Sequence, residues 1–246
     1  MVEIALSLAV VAFALVAIIG ILPSGMTVQR DNREDTLLNQ EGRYWIEAIK
    51  SGALGLDHLT NNVEEIIFYR EYEGKTERIL SRSNTVAKPW FGSDIIGLLT
   101  TPKYGSFYVY PSGALVTNKV VARVKAITGS AAEKGPLTNE FAFRYELESE
   151  IVPNFPFPAA YPGTNLVVSN YNAAVGTTLH DVRLILRWPV VQQGDDWHIG
   201  NNRKEFRGKL IGTPVGFPNK SLGVTNYFII PNRANFGGGA GGGVGP

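Results

Sequence analysis

From Ile4 to Leu22 the chain carries no charge and nothing more polar than Ser7. About 20 such residues in an α-helix cross the ~30 Å hydrocarbon core of a bilayer. A membrane span is therefore expected, built on Ile4, Leu6, Leu8, Val11, Phe13, Leu15, Ile18, Ile21 and Leu22. The one charge is Glu3, at the entrance. No Lys or Arg precedes the run, as the n-region of a secretory signal would require, so a removable signal is not expected. A carboxylate at the lip of such a helix is costly unless it reaches the headgroups or meets a cation, and both settings are open to Glu3.

Beyond the span the period stays helical. Leu38, Trp45 and Ile49 form one stripe with Leu37, Tyr44 and Ala48 beside it, while Asp31, Glu34, Asn39 and Arg43 occupy the opposite face. Ser51-Gly52 supplies a stop. One helix of about 75 Å is predicted from Val2 to Lys50, kinked or locally melted at Pro23 and Gly25. Leu38, Trp45 and Ile49 are the side chains expected to pack on the head.

The spacing of Leu59, Val63, Ile66 and Ile67 predicts a second, shorter helix over Asp57 to Phe68. Tyr69 to Ser83 is dense in charge and reads as a hairpin or loop centred on Glu73-Gly74. Ser93 to Leu99 reads as a helical turn stopped before Pro102. From Tyr104 the period becomes two. Strands are predicted through Phe107 and Val109, over Ala114 to Ile127, Phe141 to Glu148, Val182 to Trp188, Lys204 to Ile211 and Val224 to Ile230. The fold class is α+β, a long N-terminal helix packed on an antiparallel β-sheet head.

A length of 246 residues leaves room for such a head behind the span. The organisation reads as 1–26 for the transmembrane half of the helix, 27–52 for its amphipathic continuation, 53–234 for the head and 235–246 for a Gly-rich tail. The net charge of +1 offers no field to draw nucleic acid, and none is expected as a partner. Cys is absent, which removes disulfides, thiol chemistry and Cys-ligated metals together. The 27 Gly and 14 Pro fit a loop-rich β domain.

Within the head, 152–178 is a long loop rich in Pro and aromatic residues. Phe155, Phe157 and Tyr161 suit a protein or glycan surface, or a cover for a sheet edge. The tail is low in complexity and lacks the Lys and Ser/Thr of a phosphate loop. His58, His180 and His198 have no metalloprotease spacing, and no Gly-x-Ser-x-Gly elbow occurs. Glu64-Glu65 and Glu146-Glu148 are placed on solvated faces, so no enzyme is expected. Asp195 and Asp196, between Gly194 and Gly200, read as a solvated turn, with a divalent-cation site as the weaker alternative.

The apolar run with Glu3 near its start and Pro23 about twenty residues on resembles the N-terminal helix of type IV pilins and type II secretion pseudopilins. The resemblance covers Val2 to Pro23, about a tenth of the chain. Beyond that it is architectural, a helix half in lipid and half on a globular head. It implies a structural subunit, a minor one given the size of the head, in a pilus-like or pseudopilus filament. Its partners would be copies of itself or other pilin-like subunits, with a prepilin peptidase and an assembly platform acting on it. Glu3 would pair with a neighbour's N-terminal amine. The family's leader, with its basic residues and Gly, does not precede Met1, and Glu3 sits closer to the start than the family's glutamate. No cofactor is expected; Ca²⁺ is the ion the resemblance would put at Asp195 and Asp196. It also implies a bacterial inner-membrane, single-pass protein with its head in the periplasm or in an extracellular filament. Arg30 and Arg33 after the span would by themselves put the head on the cytoplasmic side, and the resemblance is preferred. The alternative is a monomeric signal-anchored extracytoplasmic domain that binds a glycan or protein through its Pro/aromatic loop.

Overall fold

The computed structural model describes residues 2–52, 56–72, 74–83, 91–109, 115–127, 143–154, 174–194, 196–219 and 224–231. The chain divides into two compact units, Met1–Glu41 and Gly42–Pro246. Helix α1, Val2–Ser51, supplies the whole described part of the first and the opening of the second. Its helical assignment is unbroken through Pro23 and Gly25, so no local melting occurs there. A proline costs a helix its own N–H bond but fixes φ at a helical value, and one missing bond does not interrupt so long a run. Gly52, at φ 74°, ends the helix in the left-handed conformation that glycine adopts without penalty.

In the first unit the polar residues past the span support the helix locally. Arg30 Nε donates to Glu34 Oε1 at 2.8 Å and Asn39 Nδ2 to Asp35 Oδ2 at 3.1 Å, both at the i, i+4 spacing that stacks side chains on one face.

The second unit is an antiparallel sheet. Its strands are β1 Val63–Tyr72, β2 Lys75–Ser83, β3 Tyr104–Val109, β4 Leu115–Lys125, β5 Arg144–Pro153, β6 Leu179–Gln193, β7 Asp196–Asn219 and β8 Val224–Pro231. They lie in the order β2-β1-β4-β5-β6-β7-β8, with β3 pairing β4 off that path. All pairings between these strands are antiparallel.

The second helix expected over Asp57 to Phe68 is not formed. A five-residue 3₁₀ turn, Asp57–Asn61, leads straight into β1. The consecutive residues Ile66, Ile67 and Phe68 are all buried. A central strand covered on both faces buries adjacent side chains, and β-branched and aromatic residues fit it well. The expected hairpin over 69–83 is present as β1 and β2, with Gly74 in the turn at φ 74°. The expected helical turn is α2, Gly92–Leu99. The later strands run longer than the alternation indicates: β6 extends to Gln193, and β7 takes in residues 196–219.

One face of the sheet carries the core. Tyr145, Leu147, Ser149 and Ile151 alternate along β5 and are buried with Val120, Ala122 and Val124 of β4 and Leu184 and Leu186 of β6. Gly42 to Ser51 and α2 both pack on this face. Trp45 Nε1 donates to the Tyr145 hydroxyl at 2.7 Å, and the Ser149 hydroxyl donates to Leu99 O at 2.6 Å. Gly42 lets the Phe206 ring of β7 approach so closely that a Cβ would lie 2.3 Å from it, and Gly208 makes room in the same way for Ile46. Burying a side chain such as Trp45 or Ile49 contributes about 1.5–3 kcal/mol or more each.

A short segment after α2 fills the wedge where β4 and β5 part beyond Val120 and Ser149. Lys103 N donates to Ile151 O at 2.7 Å, Asn118 N to Lys103 O at 2.8 Å and Asn118 Nδ2 to Pro102 O at 2.9 Å.

Candidate functional site

The apolar half of α1 is the first candidate. It is the one helix, among the described residues, long and apolar enough to cross a membrane. Ile4, Leu6, Leu8, Val11, Phe13, Leu15, Ile18, Ile21 and Leu22 are all more than half exposed. Helical geometry spreads them around the whole circumference, so water is excluded from this segment only by lipid or by other chains. Near the start, the Ser7 hydroxyl donates to the Glu3 backbone carbonyl at 2.8 Å, which removes the one side-chain donor from an otherwise aliphatic surface. Glu3 shares one helix face with Ser7 and Val11 at the i, i+4 spacing.

Of the three side chains expected to pack on the head, Trp45 and Ile49 are fully buried within the second unit. Leu38, in the first unit, is fully buried as well. The stripe extends to Ile46, which helical spacing alone did not single out.

Phe155, Phe157 and Tyr161 lie outside the described residues, as does Asp195. At the two ends of the expected loop, Val152 and Pro153 belong to β5, and 174–178 form a helical turn before β6. Asp196 opens β7 opposite Gln193 and is exposed, while the turn itself rests on Gly194 at φ 63°. Among the described residues no group of three His or acidic side chains could hold a metal ion.

The second face of the sheet corrects one expectation. Glu146 and Glu148 are buried, at 6% exposure each, instead of solvated. Glu146 stands in register with a cation on each side, Arg123 on β4 and Arg187 on β6, while Glu148 lies between Val121 and Ile185. Arg187 reaches both carboxylates, at 3.6 and 3.3 Å, and Lys119 reaches Glu148 at 3.5 Å. Burial raises the Glu146 pKa against the pull of Arg187, Arg123 and Lys119. The ladder continues across the sheet. Glu65 joins Arg78 of β2 to Arg123 of β4, and Glu64 joins Lys125 to Arg144. The signal for it was present in the sequence, as Lys and Arg at alternate positions of one strand facing Glu at alternate positions of the next, but register is needed to read it.

At the end nearer β7 the ladder borders an open groove of about 710 Å³ lined by Lys103, Glu150, Asp181, Arg183, Arg207 and Lys209. Lys103 Nζ donates to Glu150 Oε1 at 2.6 Å and Arg183 Nη1 to Glu150 Oε2 at 3.0 Å. Burial opposes the Glu150 charge, yet these two cations overcome it and leave the pKa below its ordinary value. The hydrogen bond to Glu150 in turn raises the Lys103 pKa. Lys103 and Glu150 thus favour each other's charged forms at the edge of this groove.

No protein-family model matches the chain, and comparison with curated proteins and with solved structures returns no significant match.

Proposed function

We propose that this chain is a membrane-anchored structural subunit that assembles, through the apolar half of α1, with copies of itself or with related pilin-like subunits. The filament is a pilus-like or secretion-pseudopilus fibre, and this subunit is a minor one. The observation that carries the reading is the unbroken α1, apolar around its whole circumference from Ile4 to Leu22, with Glu3 the one acid at that end. A plain tether needs the apolar length but gains nothing from a carboxylate at the lipid boundary. A bundle of such helices gives the carboxylate a partner, because an amine brought beside it in a low-dielectric setting is attracted far more strongly than in water. The head, in this reading, stands in the periplasm and sets which neighbours fit.

Mass spectrometry of the terminus of the native protein tests this directly. A proteolytically processed, N-methylated residue ahead of the apolar run supports the reading. An unprocessed, unmethylated terminus overturns it in favour of a simple anchored domain.

A further inference from the structure

One face of β7 divides into two parts of opposite character. Arg203, Glu205, Arg207 and Lys209 alternate on the side away from Gly42 and Ile46, and Ile211, Thr213 and Val215 continue on that side. Three guanidinium groups converge on one carboxylate there: Arg183 and Arg203 at 2.6 Å from Glu205, and Arg207 at 3.6 Å. The cations lie outermost. The Arg203, Arg207 and Lys209 side chains are 45%, 76% and 58% exposed, against 31% for Glu205. The next turns of the same strand are aliphatic and open, with Ile211 at 59% and Val215 at 36%, and Ile230 of β8, opposite Thr213, at 47%.

We propose that this strip and patch together form a seat for an anionic lipid surface. Lys209 is ion-paired with Asp181, so headgroup phosphates take chiefly the guanidinium groups that the single Glu205 leaves in surplus, and the aliphatic end enters the interfacial layer beside them. A soluble acidic polymer would satisfy the cations but has nothing to cover Ile211, Val215 and Ile230, which is why the lipid is preferred. The chain brings its own access to such a surface. Its apolar helix is long enough to cross a bilayer, so contacts too weak to recruit a free protein suffice for a tethered one. The inference needs membrane anchoring alone, and stands or falls separately from filament assembly.

Because the sequence holds no Cys, single labels are unambiguous. The full chain carrying Thr213→Cys, labelled with a fluorophore, is reconstituted in phosphatidylglycerol–phosphatidylcholine vesicles that contain a headgroup-nitroxide lipid. The exposed Asn61→Cys serves as the reference position. Quenching at 213 is expected to exceed that at 61 by about threefold or more, and the excess to vanish in phosphatidylcholine alone, in high salt and in Arg207→Glu/Lys209→Glu. Ile211→Ser/Ile230→Ser is expected to lose part of it. Equal quenching at 213 and 61 in the anionic vesicles overturns the proposal. So does protection of the 213 label by heparin with no response to lipid, which would make the partner an acidic polymer. Undiminished quenching in the Ile-to-Ser variant overturns the aliphatic half of the seat. None of these outcomes alters the terminal-mass test of assembly.

Discussion

Gly212 sits where β7 exchanges β6 for β8 as its partner, and a Cβ there would lie 2.5 Å from Ile230 O and 2.7 Å from the Ile229 side chain. The obstacle is backbone, which cannot rotate away. Gly212→Ala is therefore expected to destabilise the protein by about 1–3 kcal/mol, the range for overpacking, in chemical denaturation followed by tryptophan fluorescence. Gly97, in α2, has open space where its Cβ would go, so Gly97→Ala is expected to stabilise by about 0.5–1 kcal/mol in the same assay. His180 offers a test by pH. Burial lowers its pKa below the ordinary 6.5, although Asp181 and a hydrogen bond with the Leu210 backbone pull the other way. Above that value both folded and unfolded chains hold the ring neutral. As pH falls below it, the unfolded chain takes up a proton that the folded chain refuses, so stability declines until the folded pKa is passed. Glu146, with a raised pKa, acts in the opposite sense at lower pH. The His180 contribution is thus a difference: His180→Asn is expected to flatten the fall in melting temperature between about pH 7 and 5 relative to the parent.

At the scale of elements, the legible parts of the fold were those whose pattern had a single periodicity. Helix α1 was read to within a residue of its end because an apolar run and an amphipathic stripe both demand the same 3.6-residue turn, and Ser51-Gly52 closes it. Strand β1 was misread because Leu59, Val63, Ile66 and Ile67 satisfy helical spacing by coincidence, while the consecutive residues Ile66, Ile67 and Phe68 are buried in a strand paired with β2 and β4, which no local window contains. The buried acids of the ladder were invisible for a related reason. Glu146 and Glu148 alternate as solvated residues do, and only the register with β4 and β6 shows the cations beside them. The candidate membrane surface on α1 was legible residue by residue. The basic strip of β7 was not, since Arg183 joins it from another strand. Asn118 belongs to the same class of tertiary feature: its side chain and backbone clamp residues 102–103 into the wedge beside β5. Asn118→Ala leaves the buried Pro102 carbonyl without that donor, and a loss of about 1–3 kcal/mol is expected, with amide exchange at Lys103 and Asn118 accelerating more than at Val124.

For the whole molecule, on the proposed reading, the decisive quantity is the free energy of bringing a second apolar helix beside the first. Among lipid tails the aliphatic side chains from Ile4 to Leu22 gain little by exchanging lipid for protein, so packing alone gives weak association. Glu3 changes this if the incoming neighbour presents an amine at its level, because the alternative for the carboxylate is the edge of the hydrocarbon. Removing it should therefore separate insertion from assembly. Glu3→Ala lightens the cost of placing the helix in the bilayer, and the variant is expected in the membrane fraction at no less than parental abundance. Its recovery in sheared filaments is expected to fall by about tenfold or more, since a loss of only ~1.4 kcal/mol per subunit contact is already a factor of ten and contacts repeat along a fibre. Glu3→Gln is expected to fall nearly as far, because it keeps size and hydrogen bonding but not charge. A Gln variant that assembles like the parent would mean that Glu3 acts as a polar cap on the helix, and that the charge plays no part in joining subunits.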